Sequence, residues 1–142
     1  MSSREHGLQE CEELIAVDEE LQWRQVHPNY VDDGVVARDA FVGTDDATDE
    51  VSTVRSSVRT AAQAYDFYVT ELALRSAGTW GVNGMEIATS ACRAIDDGNC
   101  AGVETPGHSF IDMRGLGKKE RKLARATLAT AATHRGRAHP TS

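Results

Sequence analysis

Apolar and polar residues alternate along this chain in short blocks of differing period. In residues 8–21, LQECEELIAVDEEL, the residues Leu8, Cys11, Leu14, Ile15 and Leu21 fall on roughly one face and carboxylates fill the rest, a pattern that predicts a short amphipathic helix. Residues 22–27, QWRQVH, stop at Pro28 and read as extended. Asp32, Asp33 and Gly34 signal a turn. Residues 35–42, VVARDAFV, make the best strand candidate of the first half and could pair with 22–27 as a hairpin. GTDDATDE at 43–50 reads as an acidic loop and VSTV at 51–54 as a third short strand.

Helical spacing returns over residues 57–75, where Val58, Ala61, Ala62, Tyr65, Tyr68, Val69 and Leu72 recur behind a Ser56 or Ser57 N-cap. GTWGV at 78–82 reads as a buried strand. Asn83 with Glu86 forms the pattern of a capping box and opens a second helix to about Ala94. Residues 96–107 read as a loop and 108–113, HSFIDM, as an apolar strand. After Gly117 a last helix, KKERKLARATLATAATHR, runs to Gly136 at its C-terminal cap. Its apolar stripe is Leu116, Leu123, Thr127, Leu128 and Ala131. The order of elements predicts an α+β fold, a single domain with a small sheet of about four to five strands packed by two to three helices. The expected organisation is a peripheral acidic helix over 1–21, the domain over 22–137 and a disordered tail over 138–142.

Charge sharpens this picture. Residues 1–113 hold seven Lys or Arg against 21 Asp or Glu, whereas residues 114–142 hold eight Lys or Arg and only Glu120, so a net charge of −7 conceals an acidic body and a basic terminal helix. Lys118, Arg121, Lys122 and Arg125 recur at helical spacing as one charged stripe, a candidate surface for a partner or an anion. Cys11, Cys92 and Cys100 are odd in number and form no CxxC pair, which suits a reducing cytoplasm better than a disulfide framework. The polar N-terminus lacks the pattern of a signal peptide, and no apolar run is long enough to span a bilayer. No metal template and no cofactor motif is present: the His and Cys residues lack pair spacing, and the cluster Asp45, Asp46, Asp49 and Glu50 lacks the glycine and terminal glutamate of a calcium loop.

The segments Trp23-Arg24-Gln25-Val26-His27-Pro28, Gly34, Ala40-Phe41, Ser76 to Val82, Glu86 and His108 to Asp112 together resemble a family of small bacterial proteins with an RQVHP…AF…SAGTWGV…H-x-F-I-D pattern. The resemblance covers about residues 22–137 and departs at 43–54, which is more acidic here. It implies one intact domain and carries no activity with it.

Four residues are candidates for chemistry. His27 beside Arg24 could pair an acid–base imidazole with an anion-binding guanidinium; alternatively the two simply tie down a turn. His108 and Asp112 share one face of a strand; if His27 and His108 converged, they could cleave a phosphodiester without a metal. Otherwise Asp112 neutralises Lys118 or Arg121 in the following helix. The structural alternatives are preferred in both cases, so a non-catalytic module that binds a protein partner is the leading expectation. Its setting could be an operon-encoded pair, such as a toxin and its neutraliser, or a defence cassette. A small phosphodiester- or nucleotide-processing enzyme is the runner-up. A nucleic-acid accessory role for the basic helix comes third, since the acidic body would repel a polyanion.

Overall fold

The computed structural model describes residues 7–44 and 47–141. Asp45 and Asp46, half of the acidic cluster, lie outside the described residues, as do residues 1–6 of the expected acidic helix and Ser142 of the tail. Among the described residues, eight strands and three α-helices follow in the order β1 (Glu13–Leu14), β2 (Leu21–Val26), β3 (Val31–Asp32), β4 (Val35–Val36), β5 (Glu50–Arg55), α1 (Ala61–Asp66), β6 (Gly78–Asn83), α2 (Gly84–Thr89), β7 (Arg93–Asp96), β8 (His108–Asp112) and α3 (Lys118–Arg135). Six strands form one antiparallel sheet in the order β1-β7-β8-β5-β2-β6, and β3 pairs with β4 in a separate ribbon. The architecture is α+β, with more strands than the sequence pattern predicts.

Cross-strand partners share a face of a sheet. The register therefore places Gln22, Arg24 and Val26 with Trp80, Val82, Val51, Ile111 and Ala94 on one face. The buried residues Ala124, Leu128, Ala129 and Ala132 of α3 pack into that core with Phe41 and Met113. The opposite face carries Trp23 and Gln25 with Gly81, Val54, His108 and Phe110. The α1 segment lies over part of it through Trp23, whose Nε1 donates to the Arg59 carbonyl at 2.9 Å.

The helix expected over 8–21 does not form. Gln9 to Glu12 make a turn, Leu14 pairs with Ile95, and only Ile15 of this stretch is buried in the core. Cys11 is bonded to Cys100, so the expectation of unpaired cysteines is corrected and the compartment argument built on it loses its premise. Glu20 also belongs to the folded body: its carboxylate pairs with Arg55 at 2.6 Å and accepts from Ser57.

Other boundaries shift for local reasons. The strand expected over 35–42 is only Val35–Val36, after which Arg38–Phe41 coil into a 3₁₀ turn. The helix of 57–75 starts later, behind a Thr60–Gln63 capping box, and passes into a π-helical turn at Phe67–Glu71. The Asn83–Glu86 capping box forms, but its helix ends at Thr89 and the rest becomes β7. Part of the tail expected to be disordered lies against the sheet edge: Thr79 donates to the His139 carbonyl at 2.7 Å, and Ala138 donates to that of Thr79 at 2.8 Å. Leu123, expected on the buried stripe, is 68% exposed, while Leu128 is fully buried. Among the described residues no helix is long and apolar enough to cross a membrane.

Candidate functional site

The antiparallel pairing of β2 with β5 stops after Trp23 and Val54. Beyond that point the strands fork, and the side chain of Arg24 fills the fork. Its Nε donates to the Ala40 carbonyl at 2.8 Å, Nη2 to Val42 at 3.0 Å and Nη1 to Ser52 at 2.8 Å. The guanidinium thus takes the place of the missing ladder and ties the 3₁₀ turn to β5. Burial pushes its pKa down to about 10, opposed only by the nearby Tyr68. Among the described residues no carboxylate pairs with Arg24.

A cleft of about 270 Å³ opens over this fork. Trp23, Val42, Val54, Leu72 and Leu74 supply its apolar wall, while Tyr68, Thr105 and His108 bring polar atoms to it. Three local features build it. The π-helical turn sets Tyr68 and Leu72 over the cleft, a kind of helical irregularity that is frequent at functional sites. Ala73, between the two leucines, has φ +55°, a strained conformation for a residue with a Cβ. Gly81 lies under the indole of Trp23, where a Cβ would come within 2.9 Å of the ring, so only glycine lets the tryptophan lie flat on β6.

His108 enters from β8 after a turn at Gly107, whose φ of +73° calls for glycine. Its Nδ1 meets Asp97 Oδ1 at 2.6 Å, leaving Nε2 as the remaining ring nitrogen. This is the imidazole–carboxylate arrangement of an oriented acid or base. No hydroxyl or thiol among the described residues hydrogen-bonds to the His108 ring. Gln25 also lines the cleft; its Oε1 accepts from Ser76 and Thr79, and its buried Nε2 has no partner among the described residues.

The four candidate residues therefore separate. Arg24 and His108 meet at one cleft. His27 does not line it: its Nδ1 accepts from the Asn29 backbone N–H at 3.0 Å and caps the Pro28–Tyr30 turn. Asp112 shares the strand face of His108 but answers to neither that histidine nor Lys118 or Arg121. It accepts from Arg93 at 2.7 Å and Arg114 at 2.8 Å. Burial alone would raise the Asp112 pKa, but the bonds from Arg114 and Arg93 outweigh it and hold the carboxyl below its ordinary range. Cys92 lies beside this group, and burial, reinforced by the charge of Asp112, pushes its thiol up to about 12, which keeps it protonated and unreactive.

The basic stripe also divides. Arg125 donates to the carbonyls of Phe41 and Thr48, both at 3.0 Å, and pairs with Asp49. Arg121 pairs with Asp49 at 3.2 Å and donates to Leu116. Lys118 and Lys122 stay exposed, without an ion pair among the described residues. The periodicity that marks the stripe carries no information about which arginines bend back onto the fold. Nor does it reveal Tyr68, which lines the cleft, or Asp97, which reaches His108 from behind it, because both come from distant segments. Among the described residues no three His, Cys, Asp or Glu side chains gather as metal ligands would. In comparisons with known proteins no family model, no curated protein and no solved structure matches the chain.

Proposed function

We propose that this chain is a non-catalytic binding module that holds a small apolar ligand in the cleft between the β2–β5 fork and residues 67–74. The observation that carries the reading is the rim: Leu72 and Leu74 are 43% and 48% exposed on a strained turn, lining a pocket whose wall also holds the apolar side chains of Trp23, Val42 and Val54. Apolar concavities with a few convergent polar groups are the usual form of small-molecule sites. An oriented histidine with no hydroxyl or thiol hydrogen-bonded to its ring among the described residues favours recognition over catalysis. A neutral fluorescent probe, N-phenyl-1-naphthylamine, tests it. Wild-type protein should enhance the probe's fluorescence saturably, and a Leu72→Ser, Leu74→Ser double variant should lose the enhancement with little change in melting midpoint, since both side chains are partly exposed. A wild-type protein that leaves the probe dark would contradict the proposal.

A protein partner is the second reading, and one observation favours it. On the first turns of α3, the exposed Lys118, Lys119 and Lys122 outnumber Glu120 and share the helix end with the exposed Leu123, which gives this end a net positive charge beside an apolar side chain. Such a patch suits an acidic surface, as would be found in an operon-encoded partner, more than an extended polyanion. Reversing Lys118 and Lys122 to Glu should reduce capture of that partner, most at low salt.

A further inference from the structure

Arg24 is the unusual charge of this molecule. Arg55, Arg93, Arg114, Arg121, Arg125 and Arg135 each pair with a carboxylate. Arg24 is half-buried and satisfies three of its N–H groups on neutral carbonyls, with no carboxylate partner among the described residues. A guanidinium carries five N–H donors, so two remain. Enclosed charges are normally paired, because low polarity leaves an uncompensated ion costly. Two of the carbonyls that hold Arg24, those of Val42 and Ser52, belong to residues that line the cleft, and the Nη1 bond to Ser52 lies on its exposed side. Arg24 itself lines the cleft, so a countercharge can approach it from there.

We infer that the cleft takes an apolar monocarboxylate whose anionic head meets Arg24 and whose body packs on Trp23, Val54, Leu72 and Leu74. This rests on the small-molecule reading of the same cleft and names the ligand class. One cation with two free donors matches one carboxylate in a side-on or end-on pair. A phosphate monoester, with more charge and more acceptors, would need further cations, and among the described residues no second Lys or Arg lines the pocket. The volume of about 270 Å³ is at the small end for ligand sites and fits a body of roughly ten to fifteen non-hydrogen atoms.

The test compares 4-phenylbutanoate, 4-phenylbutanamide and phenyl phosphate as competitors of N-phenyl-1-naphthylamine on the wild-type protein, so it needs no variant to fold. The acid should displace the probe at least tenfold more tightly than the amide, with the preference shrinking at high salt. Equal displacement by acid and amide would overturn the anion assignment while leaving the cleft as a ligand site. Preference for the phosphate ester would overturn the monocarboxylate. Failure of the probe itself to bind would instead remove the underlying reading. Arg24→Lys keeps the charge and part of the bonding, and Arg24→Gln removes the charge. If both fold by circular dichroism, the acid-over-amide preference should survive in the first and vanish in the second; a preference that persists in Arg24→Gln would also overturn the assignment.

Discussion

Charge reversal at two positions of α3, three residues apart, separates a folding role from a solvent role on one helix. Arg125→Glu and Lys122→Glu make the same change in net charge, so long-range effects largely cancel in the comparison. Arg125 bonds to two backbone carbonyls at 3.0 Å and to Asp49 at 3.4 Å, with its side chain 16% exposed. Charge-assisted bonds contribute about 1.5–3 kcal/mol each when lost from enclosed sites, less where water can replace them. The Thr48 bond is exposed, and the carboxylate introduced by Arg125→Glu would also face that of Asp49. A loss of about 2–4 kcal/mol is expected, which for a chain of this length lowers the melting midpoint by about 6–14 °C. Lys122 is exposed and unpaired among the described residues, so its reversal should stay within about 0.5 kcal/mol, or about 2 °C. Thermal melts followed by circular dichroism at constant ionic strength read both. Equal shifts, or a larger one at Lys122, would refute the assignment of Arg125 to the fold.

Further outcomes follow from burial and pairing. Leu128→Ala should cost about 2–5 kcal/mol in chemical denaturation, whereas Leu123→Ala should be nearly silent, because only Leu128 is in the core. Asp112, Glu20 and Glu86 all have carboxyls held below their ordinary pKa: in each, burial opposes the shift and arginine bonds outweigh it. Their contribution is therefore complete above the unfolded value of about 4 and is lost as pH falls from there through the depressed folded values. Asp112→Asn should be less stable at pH 7 and show a shallower loss of stability as pH falls below the ordinary carboxylate value of about 4, read from urea midpoints. Reducing Cys11–Cys100, which spans 89 residues, should cost about 2–4 kcal/mol in urea unfolding.

Much of the sheet is legible in the sequence because its signals are local. LQWRQV, EVSTVR, GTWGVN and HSFID carry β-branched and aromatic residues between turn formers, and α3 has both period and a glycine stop. The failures are those where a distant contact overrides a local period. Leu8, Cys11, Leu14 and Ile15 fit a helix equally well on spacing, but the bond to Cys100 and the pairing with β7 select an extended path. Arg93–Asp96 is too short to announce itself and is a strand only because β8 lies beside it. The Thr60–Gln63 capping box is readable in the sequence and outweighs the serines upstream as the helix start. At the site, Arg24 and His108 stand out as residue types. Their meeting depends on the fork between β2 and β5, and no spacing along the chain encodes that fork.

If the cleft beside Trp23 is where a ligand binds, the two tryptophans offer a direct measurement. Trp23 lines the cleft with its indole N–H bonded to Arg59, while Trp80 is buried on the opposite face of the sheet. Proton–nitrogen NMR spectra recorded during titration with 4-phenylbutanoate and with its amide should show the Trp23 indole signal moving saturably with at least one of them and the Trp80 signal nearly still. A Trp23 signal unmoved by both ligands at millimolar concentration, or movement confined to Trp80, would contradict ligand binding in this cleft.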